Sequence, residues 1–122
     1  MGKKPTYRKY VETIQKKDFI SFFSTYTYPD KIFSIKELER FSFPDHAQSL
    51  AGRYLIKKTI CDYICEPDKM NEIEILNNAF GKPEVSLGIG ISPAIQEKGI
   101  KRILCSISHS KNFIIGMTIF CY

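Results

Sequence analysis

Helical spacing in the first half of the chain and alternating apolar residues in the second predict an α+β fold, with helices packed on a small, mostly antiparallel sheet. Helical patterns fill residues 6 to about 65, and strand patterns follow from residue 72 with one helical insertion. A length of 122 residues suits a single domain over 1–122, large enough to bury a core without staples.

Tyr7, Tyr10, Val11 and Ile14 recur at helical spacing, and Phe19, Phe22, Phe23 and Tyr26 continue the stripe. Residues 6–26 therefore read as one helix or two short ones, with Lys and Arg outward. Tyr28-Pro29-Asp30 is a break. Ser34-Ile35-Lys36-Glu37 fits the capping box, in which hydroxyl and carboxylate satisfy free amides at a helix start. A short helix then runs to about Phe41. Phe43-Pro44-Asp45 stops it, and Pro44 or Asp45 starts the next, at about 45–65.

In that long helix Ala47, Leu50, Ala51, Tyr54, Leu55, Cys61, Ile64 and Cys65 form one apolar stripe. Continuing the spacing puts Lys58 on the stripe, with Asp62 one turn further. Charges there must pair, as i,i+4 neighbours can, or sit at the edge and bend outward to water. Glu66-Pro67-Asp68 ends the helix. Glu72-Ile73-Glu74-Ile75 and Glu84-Val85-Ser86-Leu87 alternate around the turn-forming stretch 77–83, which predicts a β-hairpin. Ser92-Pro93 opens a short helix ending near Gly99. Arg102 to Ser108 and Phe113 to Cys121 read as two more strands.

Composition excludes several classes. Apolar residues at 43% and charged residues at 25% do not fit a disordered chain, a fibrous repeat or a disulfide miniprotein. No stretch approaches the roughly 20 apolar residues that a bilayer span needs. The start, residues 1–10, is charged and lacks the apolar segment of a secretory signal. Cys61, Cys65, Cys105 and Cys121 form no CxxC, and His46 and His109 stand far from any Cys pair. They read as free thiols of a reducing cytoplasm rather than as zinc ligands.

The net charge of +5 is uneven, because residues 1–29 set six Lys/Arg against Glu12 and Asp18. Such a basic segment suits an acidic protein, a nucleic acid or a membrane surface, or serves as a solvated face. Tyr7, Arg8, Lys9 and Tyr10 interleave aromatic and basic residues, the pattern of a nucleic-acid-binding module. No recognised binding motif accompanies it.

Four segments in series resemble the holo-acyl-carrier-protein synthases, the small branch of the phosphopantetheinyl transferases. Ser49-Leu50-Ala51-Gly52-Arg53-Tyr54-Leu55-Ile56-Lys57 is similar to the family's apolar-Ala-x-Arg-Phe-Ala-Ala-Lys-Glu helix run. Glu72-Ile73-Glu74-Ile75, followed by Gly81-Lys82-Pro83, resembles its Asp-Ile-Glu-Val strand and Gly-Lys-Pro loop. Cys105-Ser106-Ile107-Ser108-His109-Ser110 resembles its Ser-Ile-Ser-His-Ser strand end, and residues 32–38 its Ile-Leu-Thr-x-x-Glu-Leu segment. The resemblance covers about residues 31–121.

The resemblance implies a 4'-phosphopantetheinyl transferase-like fold, a homotrimer with sites at subunit contacts, and a cytoplasmic enzyme of fatty acid biosynthesis. It implies transfer of phosphopantetheine from coenzyme A to a serine of an acidic acyl carrier protein. Arg53, Lys57, Lys82, Ser108, His109, Ser110 and the amides around Gly81-Lys82-Pro83 become candidate contacts to coenzyme A. Lys57, Lys58 and Asp62 become the candidate catalytic positions.

It also implies Mg²⁺, held by an Asp of an N-terminal Gly-x-Asp strand and by the Glu directly after the helix-motif Lys. Here that Glu is Lys58, and the family's Lys four residues on is Asp62. The first 30 residues read as helical, which leaves only Glu12 to stand in for the Asp. An ammonium offers donors only and cannot ligate a metal. The expected reading is a diverged member, with transfer activity reduced or absent. A non-catalytic relative that binds coenzyme A or a carrier protein is the alternative.

Overall fold

The structure, a computed structural model, describes residues 6–122. The architecture is α+β, with one long helix clasped between a three-stranded sheet, a two-stranded hairpin and shorter helices.

The chain opens on a strand, β1 (Tyr7–Gln15), which turns into α1 (Lys16–Ser24). This corrects the helical reading of residues 6–15. Apolar residues at 7, 10, 11 and 14 suit either period, and aromatic and β-branched side chains favour a pleated surface. Tertiary pairing decides between them. All nine residues of β1 pair antiparallel with β5 (Phe113–Cys121), from Tyr7 opposite Cys121 to Gln15 opposite Phe113. The alternation sends Tyr10, Glu12 and Ile14 toward the helical layer. It also places Tyr7 and Tyr10, read above as one stripe, on opposite faces.

A 3₁₀ turn follows at Pro29–Lys31, and α2 (Ile35–Arg40) carries the expected capping box at Ser34 and Glu37. The long helix is α3 (Ala47–Ile64), closed by Cys65 in the left-handed conformation at φ 58°. After a second 3₁₀ turn, β2 (Ile73–Asn77) and β3 (Pro83–Leu87) form the expected hairpin. Then α4 (Ser92–Glu97) leads to β4 (Arg102–His109) and β5. The order in the larger sheet is β1-β5-β4, all antiparallel.

The core surrounds α3. On one side Phe19, Phe23, Phe33 and Ile114 pack against Leu50, Ala51 and Leu55. On the other, Ile73, Ile75, Ile95 and Phe120 pack against Ile56, Ile60, Cys61 and Ile64. A Cβ on Gly116 would lie 2.9 Å from Leu55 Cβ, and one on Gly52 would run into Ile107. Glycine at both positions lets helix and sheet approach closely.

Because neighbours cover α3 on most sides, its burial is not the single stripe expected. Gly52, Arg53, Ile56, Lys57, Thr59 and Ile60 are buried as well, whereas Lys58, Asp62 and Cys65 are exposed. The stripe reading of Lys58 is therefore corrected by one residue, and the buried lysine is Lys57. Lys57 Nζ donates to Glu37 Oε1 at 2.5 Å, to Ile32 O at 2.9 Å and to Ile73 O. Glu37, also fully buried, accepts from Ser34 N at 2.8 Å and from Ile75 N at 2.9 Å. Among the described residues, no helix is long and apolar enough to cross a membrane.

Removing one member of a buried pair strands the other charge, so Lys57→Ala should destabilise the chain by about 3–5 kcal/mol. The neighbouring Lys58→Ala, at an exposed pair, should cost less than about 1 kcal/mol. Urea unfolding of the two variants checks this. Equal losses would contradict the assignment of the buried lysine.

Candidate functional site

The residues singled out in the sequence fall into three groups. The first lies in a groove of about 300 Å³ between β1 and α3, lined by Tyr10, Glu12, Thr59, Asp62 and Tyr63. Glu12 reaches it because the strand alternation turns it toward α3, and Asp62 because it stands on the exposed side of the helix. Lys58 is not part of the lining but donates to Asp62 Oδ2 at 3.1 Å, with side chains 49% and 64% exposed respectively. The expected i,i+4 pair therefore forms, at the surface. The hydrogen bond from Lys58 to Asp62 raises the ammonium's pKa above its ordinary value, and Glu12 adds a smaller effect in the same direction.

The second group is internal. Arg53 Nε donates to Ile75 O at 2.7 Å, and its terminal nitrogens reach Ser49 O and Asn77 Oδ1 at 3.1 Å. Its guanidinium lies 4.0 Å from the centre of the Phe41 ring. Lys57 is held by Glu37 and the carbonyls named above. Burial lowers the pKa of both groups, and Glu37 opposes that effect for both. Both side chains are buried in this chain, with protein acceptors on the Lys57 ammonium and on three of the five N–H groups of Arg53.

The third group lies on the hairpin and at the end of β4. Gly81 adopts φ +77°, where glycine is favoured, at the tip of the hairpin. Asn78 ties this loop to itself. Its Oδ1 accepts from Phe80 N at 2.9 Å and from Lys82 N at 3.1 Å, and Gly81 N donates to Asn78 O at 3.0 Å. Pro83 has no amide hydrogen. The amides around Gly81-Lys82-Pro83, expected to face phosphate, are thus already used, and the exposed Lys82 side chain is what this loop offers. Pro83 O accepts from Cys105 Sγ at 3.6 Å, which sets the hairpin beside β4. Ser108, His109 and Ser110 are exposed at the far end of β4, where Ser110 closes the turn to Phe113.

The structure therefore joins Glu12, Lys58 and Asp62 but leaves Ser108, His109 and Ser110 on the opposite edge of the sheet, since β5 separates β1 from β4. The sequence offers Glu12 as the stand-in carboxylate without fixing which way it faces. The signal that places it is the nine-residue match of β1 to β5. A further basic cluster was missed: Lys16, Lys17 and Lys111 line a cavity of about 470 Å³ with Ile20 and Phe113. Lys111 is far in sequence from the adjacent Lys16 and Lys17, and the Lys16 N to Asn112 O bond of 2.8 Å brings the two segments together.

The donor set does not fit the Mg²⁺ that the resemblance implies. Mg²⁺ needs oxygen donors, and the position after Lys57 carries an ammonium. That ammonium also engages Asp62, the nearest carboxylate on its helix. Among the described residues no group of three or more His, Cys, Asp or Glu is placed to hold a metal.

Comparison with known proteins supplies the class first. The structure superposes on the holo-[acyl-carrier-protein] synthase of Neisseria meningitidis with a TM-score of 0.80 and 21% identity, over 93% of this chain and 97% of that one. The Chronobacterium ammoniagenes ACPS–CoA complex matches with a TM-score of 0.80 and 22% identity, over 97% and 98%. The fold is thus that of the holo-acyl-carrier-protein synthases. No family model matches the sequence. The holo-[acyl-carrier-protein] synthase of Mycoplasma capricolum is 30% identical over 92 residues, covering 73% of this chain and 74% of that protein. The chain belongs to the holo-[acyl-carrier-protein] synthase family.

Cysteine ionisation provides a test of the packing beneath the site. Burial pushes the Cys61 and Cys105 thiols from an ordinary 9.0 up to about 11. A raised folded-state value means their stabilisation is complete below about pH 9 and is lost as pH rises through about 11. Denaturant unfolding from pH 8 to 11 should show that decline, and the double variant Cys61→Ala, Cys105→Ala should flatten it.

Proposed function

We propose that this chain is a diverged holo-acyl-carrier-protein synthase that binds coenzyme A and an acidic acyl carrier protein, and whose transfer activity in isolation is reduced or absent. The family reaction joins a carrier serine oxygen to the phosphorus bearing pantetheine. The bond from that phosphorus to the bridging oxygen breaks, adenosine 3',5'-bisphosphate leaves, and the serine proton is released. Positioning and charge neutralisation supply most of the catalysis in such a step. The observation that carries the reading is the β1–α3 groove, lined by Glu12 and Asp62 in a family scaffold, with the Lys58 ammonium bonded to Asp62 at the position of a carboxylate.

Two features support the partners. The cavity of Lys16, Lys17 and Lys111, with Ile20 and Phe113, suits a helix that is acidic on one side and apolar on the other. The outer face of the large sheet carries Val11, Leu104, Phe113, Ile115, Met117 and Ile119, and no element of this chain among the described residues covers it. An apolar face of that kind marks an interface. We place a second and a third copy of the chain there, as a homotrimer. A neighbouring copy would also bring residues such as Ser108 and His109 toward a groove that one chain leaves incomplete.

Intact-mass measurement of an apo carrier protein, after incubation with this protein, coenzyme A and Mg²⁺, tests the reaction. With an active family member as control, the carrier should gain little or no phosphopantetheine. Full conversion would overturn the reduced-activity reading. Light scattering tests the assembly. The wild type should run as a trimer and Ile119→Glu as a monomer, while a monomeric wild type would remove the proposed interface.

A further inference from the structure

We propose that the Lys58 ammonium replaces a divalent ion in the β1–α3 groove, so that the coenzyme A pyrophosphate is bound there by a side-chain cation and without Mg²⁺. The proposal rests on the coenzyme A reading above and concerns how that ligand is held.

The argument starts from the helix. Lys57 is fixed inward by Glu37 and three carbonyls, and successive residues of a helix are turned by about 100°. Lys58 must therefore project at the surface, beside the groove and not into the core. Its ammonium carries three donors. Asp62 takes one at 3.1 Å, and among the described residues no other acceptor takes the remaining two. Those two donors can meet phosphate oxygens at the groove while Asp62 keeps the side chain from swinging away.

The electrostatics agree. Asp62 and Lys58 cancel as a pair, which leaves Glu12 as the negative group on the β1 side. Glu12 is set in the most basic part of the chain, with Arg8 and Lys9 on the same strand and Lys16 and Lys17 just after it. The lining holds two carboxylates and no basic residue, so a dianionic phosphate at this groove depends on the tethered Lys58 ammonium beside it. Of the two carboxylates that line the groove, Asp62 is already paired with Lys58, which leaves Glu12 as the one outside an ion pair among the described residues.

The proposal gives the carboxylates a sign that a metal site would reverse. If Glu12 and Asp62 held Mg²⁺, neutralising either would weaken coenzyme A binding. If Lys58 is the cation, they compete with phosphate for it, and neutralising either strengthens binding.

Calorimetric titration with coenzyme A, in excess EDTA and in millimolar Mg²⁺, decides between them. The expected result is the same affinity in both buffers. Lys58→Ala should weaken binding at least about tenfold in both, the usual worth of a charge-assisted contact. Asp62→Asn should tighten it about two- to fivefold, as release of an exposed ion pair allows. All three groups are exposed, so melting temperatures should stay near wild type and confirm that the variants fold. Affinity that requires Mg²⁺ and falls on Asp62→Asn would overturn the proposal and leave the coenzyme A reading intact. No heat in either buffer would overturn both, while binding of the carrier protein is read separately by its own titration.

Discussion

The buried pair of Glu37 and Lys57 is the constraint on which the rest of this molecule depends. A lysine and a glutamate with no solvent exposure are costly unless every donor and acceptor is met. Meeting them engages four parts of the chain. The capping box starts α2, Lys57 belongs to α3, Ile32 lies before the box, and Ile73 and Ile75 belong to β2. Ser34 Oγ extends the network to Glu74 at 2.8 Å. The pair therefore sets the rotation of α3 and the position of the hairpin together.

That rotation has a functional consequence one residue away. With Lys57 inward, Lys58 and Asp62 are placed at the surface, where β1 supplies Glu12. Two adjacent lysines thus have opposite roles, one holding the scaffold and the other pairing with Asp62 at the surface. Arg53 belongs with the scaffold as well, since its guanidinium joins α3 to Ile75 and Asn77. Close approach at Gly52 and Gly116 then brings the large sheet against the same helix. The groove and the Ser108–Ser110 segment come to lie at opposite edges of that sheet, with β5 between them.

Local chemistry was legible in the sequence where it acts within a few residues. The capping box at Ser34 and Glu37, the hairpin around Gly81, the strands of the second half and the Lys58–Asp62 pair each rest on contacts between near neighbours. The ordered motifs carried the family for a similar reason, because they preserve residue types at set spacings. Reading β1 as helix failed because Tyr7, Tyr10, Val11 and Ile14 fit both periods over so short a run. The choice between them depends on β5, about 100 residues further along the chain.

By itself, then, the sequence determined the fold class, the element types after residue 28, the family and the charge reversal at Lys58 and Asp62. Tertiary structure decided which lysine is buried, that Glu12 faces α3, that the Gly81-Lys82-Pro83 amides are already bonded, and that Lys16, Lys17 and Lys111 converge. The physical reason is common to all four. Periodicity reports only that one side of an element is apolar, whereas burial on several sides and the partner of each polar group depend on segments distant in sequence that only the folded chain brings into contact.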